Sequence, residues 1–483
     1  MTRAQQTLWG LLAFAAVAAA LGTYAYVEVI KGDEKREAAK DQRDRLFAPQ
    51  AVNERGDDGG AAEATFTKLV IKAHGEETVL ERRSDGVWNM VSPIKARAAP
   101  TPVQEMLSVL QTFKLKGVVD PDPDAAALTR YGLTPPAITV DAFARVGSST
   151  QERTVHFEVG AENSYDGTVY IRRDSAQAVD ATEAGARWAF EKTPAQLREV
   201  RLLRVEPHAI ESVSVKGSAH SYRLSREGKR SWLFTQPAVF AADTAAIEGM
   251  LGSLGAAAAW AFFDAPADAG LDGFAVVATL GLVDGGTVTW RAQPFTTDGG
   301  LAARVVVESA EGTTWAHATR EALALDRVPE ELRDRAVVMF DRDAVHRVSF
   351  RPKLKAPFTV ERLTTDAGEE AWKVVGTDAA VKPYKVSTAL WLLRSLRATA
   401  FGDVNPSDWG EYGLGDDAAT VELRGKDESV LATFRQGRAV PGSKAAHVYV
   451  RGTRNQVLQA DGAKLADLPQ SLTDLLESFD GGN

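Results

Sequence analysis

The chain has 483 residues, a formal net charge of -9 and no cysteine. Because nucleic-acid binding needs clustered lysine and arginine, this acidic balance disfavours a nucleic-acid partner. The lack of cysteine excludes disulfides, thiolate metal sites and a cysteine nucleophile. Hydrophobic residues make up 45% of the chain, which is enough for folded cores, and the length indicates about three domains.

An apolar segment near the N-terminus predicts a membrane anchor. No charged residue lies between Arg3 and Glu28, and a helix of about 20 apolar residues spans the hydrocarbon core of a bilayer. We predict a transmembrane helix within residues 1–30 that contacts the inner membrane through residues 8–30. A cleaved signal peptide and a buried helix of a soluble domain are the alternatives.

The charges that flank this segment bear on its orientation. Six basic residues follow it between Lys31 and Arg45, whereas only Arg3 and the free amine precede it. Under the positive-inside rule, the more basic flank stays in the cytoplasm. The charges alone therefore predict a cytoplasmic large domain.

Residues 31–64 are predicted to form a charged stalk and a flexible linker, and three copies of one pattern follow. Each copy begins with alternating apolar residues, which predict strands with one buried face. A tryptophan comes next (Trp88, Trp232 or Trp372), and then an amphipathic helix with one apolar stripe. We predict that the three tryptophans are buried determinants of the fold.

The repeat predicts an α+β fold in which an N-terminal transmembrane helix precedes three tandem α+β modules with mainly antiparallel sheets. The predicted modules are residues 65–203, 204–340 and 341–483. Their period of about 140 residues exceeds the 20–50 residues of solenoid repeats, so each module is expected to close its own core. The apolar run from Ala256 to Phe263 is too short to cross a membrane and is predicted to lie in a core.

Capping and turn residues give finer predictions. Thr101 is predicted to cap the first long helix and Asp243 the second. Each copy then has a turn whose glycine is predicted to adopt a left-handed conformation at the end of a short helix. These glycines are Gly132, Gly270 and Gly413.

The sequence contains no readable catalytic or metal-binding motif. The seven histidines do not stand three or four residues apart, as ligands on one helical face would. Asp120, Asp122 and Asp124 resemble part of a calcium loop but lack its glycine and its distant glutamate. Residues 413–418 partly match a dinucleotide fingerprint, with helix and strand in the reverse order. We therefore assign no catalytic, cofactor-binding or metal-ligating residue and expect no cofactor.

Several of these features together resemble the DUF4340 family of bacterial proteins of unknown function. The matching motifs are the N-terminal anchor, the stretch from Trp88 to Pro93, the amphipathic helix, the turn from Tyr131 to Pro135 and the strand from Val169 to Arg173. The resemblance implies a membrane-anchored protein encoded beside gliding-motility-like ABC transport systems. It also implies repeats outside the cytoplasm, opposite to the orientation that the flanking charges predict, and both orientations stay open.

Three functions are compatible with these observations. The favoured one is a non-catalytic, single-pass protein of the inner membrane with a periplasmic large domain, which serves as an accessory subunit of an ABC-type transport complex and binds a partner such as its permease. The first alternative is an envelope protein that binds a lipid or a glycan. The second is a carboxylate-based hydrolase, which two close acids in a deep pocket would favour.

Overall fold

The computed structural model describes residues 64–476, apart from residues 147–150, 174–176, 218–219, 229–230, 265–266, 272, 365–369, 378 and 444–445. The anchor predicted at residues 1–30 lies outside the described residues, as does the stalk and linker up to residue 63. None of the helices in the described part of the chain combines the length and the apolar character needed to cross a bilayer.

Three nine-stranded antiparallel sheets form most of the described fold. The first sheet contains β1 (Ala64–Ala73), β2 (Glu76–Arg82), β3 (Trp88–Ser92), β4 (Ala96–Arg97), β5 (Gly117–Asp120), β6 (Ile138–Val146), β7 (Glu152–Glu162), β8 (Thr168–Arg173) and β9 (Val179–Glu183). Their order across the sheet is β4-β3-β2-β1-β6-β7-β8-β9-β5. The β5 strand precedes β6 in the chain yet pairs with β9 at the far edge of the sheet.

The second and third sheets repeat this order strand for strand. The second contains β10 (Ile210–Gly217), β11 (Ser221–Glu227), β12 (Ser231–Gln236), β13 (Phe240–Ala241), β14 (Ala259–Phe263), β15 (Val276–Leu282), β16 (Thr287–Thr297), β17 (Gly300–Ser309) and β18 (Gly312–Thr319). The third contains β19 (Arg347–Arg351), β20 (Phe358–Thr364), β21 (Glu370–Val374), β22 (Ala380–Val381), β23 (Ala400–Val404), β24 (Ala419–Arg424), β25 (Val430–Ala439), β26 (His447–Arg451) and β27 (Gln456–Asp461). The prediction of repeated α+β units with antiparallel sheets is confirmed.

Seven α-helices lie among the described residues. They are α1 (Pro100–Thr112), α2 (Ala125–Arg130), α3 (Gly185–Phe190), α4 (Pro194–Leu197), α5 (Thr244–Gly255), α6 (Pro383–Ser395) and α7 (Gly462–Leu465). Short 3-10 turns occur at Pro207–Ala209, Arg320–Leu323, Pro329–Glu331, Gly410–Tyr412 and Leu472–Asp474. The long helices α1, α5 and α6 each follow a two-residue edge strand and bury the predicted apolar stripe in the core of their sheet.

The three recurrent tryptophans occupy the same place in their sheets. Trp88 lies in β3, Trp232 in β12 and Trp372 in β21, the strand next to the short edge strand, and each is buried in the core of its own sheet. The indole nitrogen of Trp232 donates to Glu248 of α5 at 2.9 Å, which ties the strand to the helix. The prediction that these residues are buried is confirmed.

The chain divides into two compact units. The first extends to Arg201 and holds the first sheet, and the second comprises residues 202–483 and holds the other two. Within the second unit, Ala336 forms an isolated bridge with Arg397, while Arg333 bridges Ala242. The segment between the second and third sheets thus bonds to both. The predicted module boundaries at residues 203/204 and 340/341 stay predictions.

Two finer predictions are wrong. Helix α1 begins at Pro100 with Ala99 as its N-cap and no side-chain cap, because the fixed φ of Pro100 starts the helix before Thr101. The run from Ala256 to Phe263 is not wholly core: it ends in β14, where Trp260 is 53% exposed. A register shift between Ala259 and Ala261 places Trp260 outside the regular pairing with β18.

Other local predictions hold. Asp243 caps α5 by accepting a hydrogen bond from the backbone nitrogen of Ala246 at 3.1 Å. Gly132, Gly270 and Gly413 have φ angles of 68°, 64° and 67°, the left-handed conformation that favours glycine. The predicted short helix precedes Gly132 and Gly413, whereas residues 267–270 form a turn, so this part of the prediction is wrong for Gly270.

Candidate functional site

The residues that first suggest a metal site instead have structural roles. Asp124 caps α2 by accepting from the backbone nitrogen of Ala127 at 2.7 Å, and Asp120 accepts from the hydroxyl of Tyr131 at 3.2 Å. In the described part of the chain, no group of three histidine, aspartate or glutamate side chains is placed to hold a metal ion. Gly413 forms the tight turn that precedes β24, and no helix opens there.

A tyrosine–aspartate pair recurs in the first and third sheets. Tyr131 donates to Asp120 in the first sheet, and Tyr412 donates to Asp403 in the third. Each tyrosine also packs against a second one, at ring distances of 4.6 Å for Tyr170 and 5.1 Å for Tyr449. The hydrogen bond to Asp403 raises the pKa of Tyr412 to about 12, and burial followed by the charge of Asp120 raises the pKa of Tyr131. Each pair holds the turn that contains Gly132 or Gly413 against the edge strand of its sheet, β5 or β23.

Glycines on β7 and β25 allow this arrangement. Gly160 and Gly437 each lie three residues after a buried phenylalanine, and a Cβ atom at either position would overlap a turn carbonyl oxygen, that of Tyr131 or Tyr412. In the second sheet, Gln293 stands three residues after the buried Trp290 and so takes the place of the glycine. The turn and the sheet have therefore changed together in this module.

The second sheet carries an aromatic cluster where the other two carry the tyrosine pair. The imidazole of His317 lies 4.6 Å from the Phe263 ring and 4.9 Å from the Phe295 ring, and its Nε2 donates to the Ala269 carbonyl at 3.1 Å. The guanidinium of Arg304 stacks on Phe295 at 4.8 Å. Because His317 is held by the turn and by two rings, we assign it a packing role. From the sequence alone, the visible sign of this difference is that the turn reads Ala-Gly-Leu at residues 269–271, where the other two copies read Tyr-Gly-Leu.

A large groove of the first unit lies between α1 and α3. It has a volume of about 850 Å³ and is mainly apolar, with Ser108 and Val109 on one side and Trp188 and Ala189 on the other. Trp188 is 64% exposed, which is unusual for so large an apolar side chain. One end of the groove is polar, where Lys192 approaches Glu105 at 3.9 Å.

The long helix of the third sheet carries a similar exposed aromatic surface. Trp391 on α6 is 68% exposed, and Tyr384, seven residues earlier and therefore on the same helical face, is 59% exposed. Trp391 and Ser108 occupy corresponding positions of α6 and α1. Each lies five residues after the first buried residue of its helix, which is Val386 in α6 and Val103 in α1. An exposed tryptophan therefore lies at the outer face of both helices: Trp391 on α6 itself, and Trp188 on α3 beside α1.

Comparison with known proteins agrees with the motifs of the chain. The family model described as "Domain of unknown function (DUF4340)" matches residues 88–273 and 372–479. Each matched segment begins at one of the recurrent tryptophans, Trp88 or Trp372. Neither the search of curated proteins nor the search of solved structures gives a match. Because the matched segments cover more than half of the 483 residues, the chain belongs to the DUF4340 family.

Proposed function

We propose that this protein is a non-catalytic binding protein of the cell envelope, an accessory subunit that docks its sheet modules onto an ABC-type transport complex. The observation that carries the proposal is the pair of exposed tryptophans, Trp188 beside α1 and Trp391 on α6. Tryptophan and tyrosine are enriched at protein interfaces and at their energetic hot spots. The choice of a transport complex as the partner rests on the family resemblance.

Tethering to the inner membrane is part of the proposal. The apolar segment at residues 8–30 would cross the bilayer once, and the charged residues up to 64 would form the stalk. The large domain would then lie in the periplasm, close enough to meet a membrane-embedded permease. Protease treatment of spheroplasts tests this placement, because digestion of the large domain supports export and its protection contradicts it.

The binding surface is tested by purification of the full chain from membranes in mild detergent, followed by identification of the proteins recovered. We expect an ABC permease with the wild-type chain. The double variant Trp188→Ala, Trp391→Ala should lower its recovery tenfold or more, since truncation of a hot-spot residue costs about 2 kcal/mol or more. The matched control is Tyr165→Ala with Leu354→Ala, which removes two other highly exposed apolar side chains.

Two results would contradict the proposal. One is the failure of the wild-type chain to recover a permease under conditions that keep the membrane complex intact. The other is equal recovery by the tryptophan variant and the control, which would remove Trp188 and Trp391 from the interface.

The groove beside Trp188 supports a second candidate, the binding of an envelope lipid or glycan. Its volume of about 850 Å³ and its mainly apolar walls are typical of small-ligand pockets. Mass spectrometry of the purified chain tests this candidate: a lipid or glycan that is lost in Trp188→Ala supports it, whereas its retention places the ligand elsewhere. The carboxylate-based hydrolase stays a prediction.

A further inference from the structure

A guanidinium held between two rings lies where the second and third sheets approach each other, within the second compact unit. The Cζ atom of Arg333 is 3.8 Å from the ring centre of Phe240 in β13 and 3.9 Å from that of Phe401 in β23. Such stacking fixes the plane of the guanidinium and leaves its N–H groups to point outward from between the rings. Arg333 is therefore preorganised to donate hydrogen bonds in its own plane.

The side-chain hydrogen bond that the structure gives the guanidinium of Arg333 goes to an uncharged partner. Its Nη2 donates to the uncharged Gln456 at 3.0 Å, and its Nε is buried without a partner. Among the residues that the structure describes, no carboxylate forms an ion pair with it. Burial lowers the pKa of Arg333; Arg454 and Arg335 lower it further, whereas Glu330 acts in the opposite direction. A half-buried charge of this kind is costly unless a counter-ion joins it.

A cavity of about 380 Å³ lies beside this group. Its walls contain two arginines, Arg333 and Arg454, and one carboxylate, Asp334, which already pairs with Arg454. The net charge of the lining is therefore positive. The wall also contains the polar side chains of Asn405, Asn455 and Gln456.

One wall of the cavity has an uncommon backbone. Asn405 has a φ of 48°, in the left-handed region that non-glycine residues seldom adopt, and its backbone nitrogen donates to the carbonyl of Asn455 at 2.8 Å. This bond joins the chain just after β23 to the turn before β27, so Asn405 and Asn455 line the same cavity, and the Asn455 side-chain oxygen accepts from Arg451 at 2.6 Å.

We propose that this cavity binds the phosphate group of a small molecule or of a lipid headgroup, with Arg333 as the principal ligand-binding residue. The Nη hydrogens of Arg333 that do not bond Gln456 can donate to phosphate oxygens, and the amide nitrogens of Asn405 and Asn455 would add further donors. The cavity is large enough for a phosphate with a short organic body. Its chemistry is independent of the tryptophan surfaces, so either proposal can fail without the other.

A purely structural role for Arg333 is the alternative, in which the stacked guanidinium only joins the two sheets. That role needs a cation or a long side chain between Phe240 and Phe401, and it does not need free N–H donors. Arg333→Lys separates the two roles, because lysine keeps the charge and the stem but lacks the planar fork. Arg351→Gln, which changes an exposed arginine of β19, is the matched control.

The test is isothermal titration calorimetry of the full chain in detergent with inorganic phosphate, against sodium chloride at equal ionic strength. We expect saturable binding of phosphate that R333K weakens about tenfold, equal to about 1.4 kcal/mol, and that R351Q leaves unchanged. Circular dichroism and the unfolding midpoint check that R333K is folded. The absence of phosphate binding to the wild-type chain overturns the proposal, and so does unchanged binding to a folded R333K.

Competition then identifies the source of the phosphate group. Displacement of inorganic phosphate by glycerol 3-phosphate supports a soluble phosphate ester. Displacement by micelles doped with phosphatidylglycerol, but not with phosphatidylcholine, supports an anionic lipid headgroup. If phosphate binds and neither competitor displaces it, the cavity takes inorganic phosphate alone, and the proposed phosphate ester or lipid headgroup is overturned.

Discussion

Replacement of Gly437 by alanine tests the closest packing in the third sheet. A Cβ atom at this position would overlap the carbonyl oxygen of Tyr412 and would lie 3.1 Å from the side chain of Leu414. The first obstacle is backbone and the second is a buried leucine, so neither moves away by a simple rotamer change. G437A therefore forces the Gly turn away from β25.

Overpacking of this kind costs typically 1–3 kcal/mol, and because backbone must move we expect about 2–3 kcal/mol for G437A. The same reasoning applies to G160A in the first sheet, where the obstacle is the carbonyl of Tyr131. G252A is the matched control: this exposed glycine of α5 has nothing within 4 Å of the place of its Cβ. Because glycine costs a helix interior about 0.5–1 kcal/mol relative to alanine, G252A should stabilise the second sheet.

Hydrogen exchange at increasing urea, read by mass spectrometry, reports the opening free energy of each sheet separately. This matters because a chain with more than one compact unit does not unfold in a single two-state step. G437A should lower protection in β24 and β25, and G160A in β6 and β7. If G437A changes the protection of β24 and β25 by less than about 0.5 kcal/mol, the tight packing of the turn is refuted.

Two further predictions follow from local contacts. Asp243→Ala should destabilise α5 by about 1 kcal/mol while Thr101→Ala changes the stability of α1 by less than about 0.5 kcal/mol, because only Asp243 caps its helix. Equal losses of exchange protection in the two helices would show that the capping assignment is wrong. Because hydrogen bonding to Asp403 raises the pKa of Tyr412 from 10.0 to about 12, the neutral phenol stabilises the fold fully below pH 10 and loses this effect as the pH rises to about 12. The unfolding midpoint of the compact unit that contains Tyr412, residues 202–483, should therefore fall more steeply over this interval in the wild-type chain than in Tyr412→Phe, and parallel curves would contradict the argument.

Local patterns in the sequence were enough to find the repeated unit. The alternation of apolar residues predicts strands, and the stripe that includes Val103 and Met106 predicts a helix, because burial on one face imposes a period that is visible within about ten residues. The recurrent tryptophans mark the same strand in each copy for the same reason. Asp243 was also readable as a cap, since its hydrogen bond joins residues three apart.

Pairings between distant residues were not readable in this way. Nothing local places β5 beside β9, or shows that the register of β14 shifts next to Trp260 and leaves this residue exposed. The sequence predicts Thr101 as the cap of α1, whereas in the structure the helix already begins at Pro100, whose fixed φ suits the first helical position. The exposed position of Trp188 depends on how α3 packs against α1, which a single sequence does not disclose.

The α+β class, the repeat and the DUF4340 family could be recognised from the sequence, because strand and helix periodicity and spaced motifs are properties of neighbouring residues. Folding brings Arg333 between Phe240 and Phe401 and places Asn405, Arg454 and Gln456 around one cavity. These residues come from separate strands and loops. The strand pairing within the second and third sheets sets the distances between them. That Arg333 has no ion-pair partner among the described residues can be seen only in the folded structure, because an arginine in a sequence is expected to be exposed to solvent.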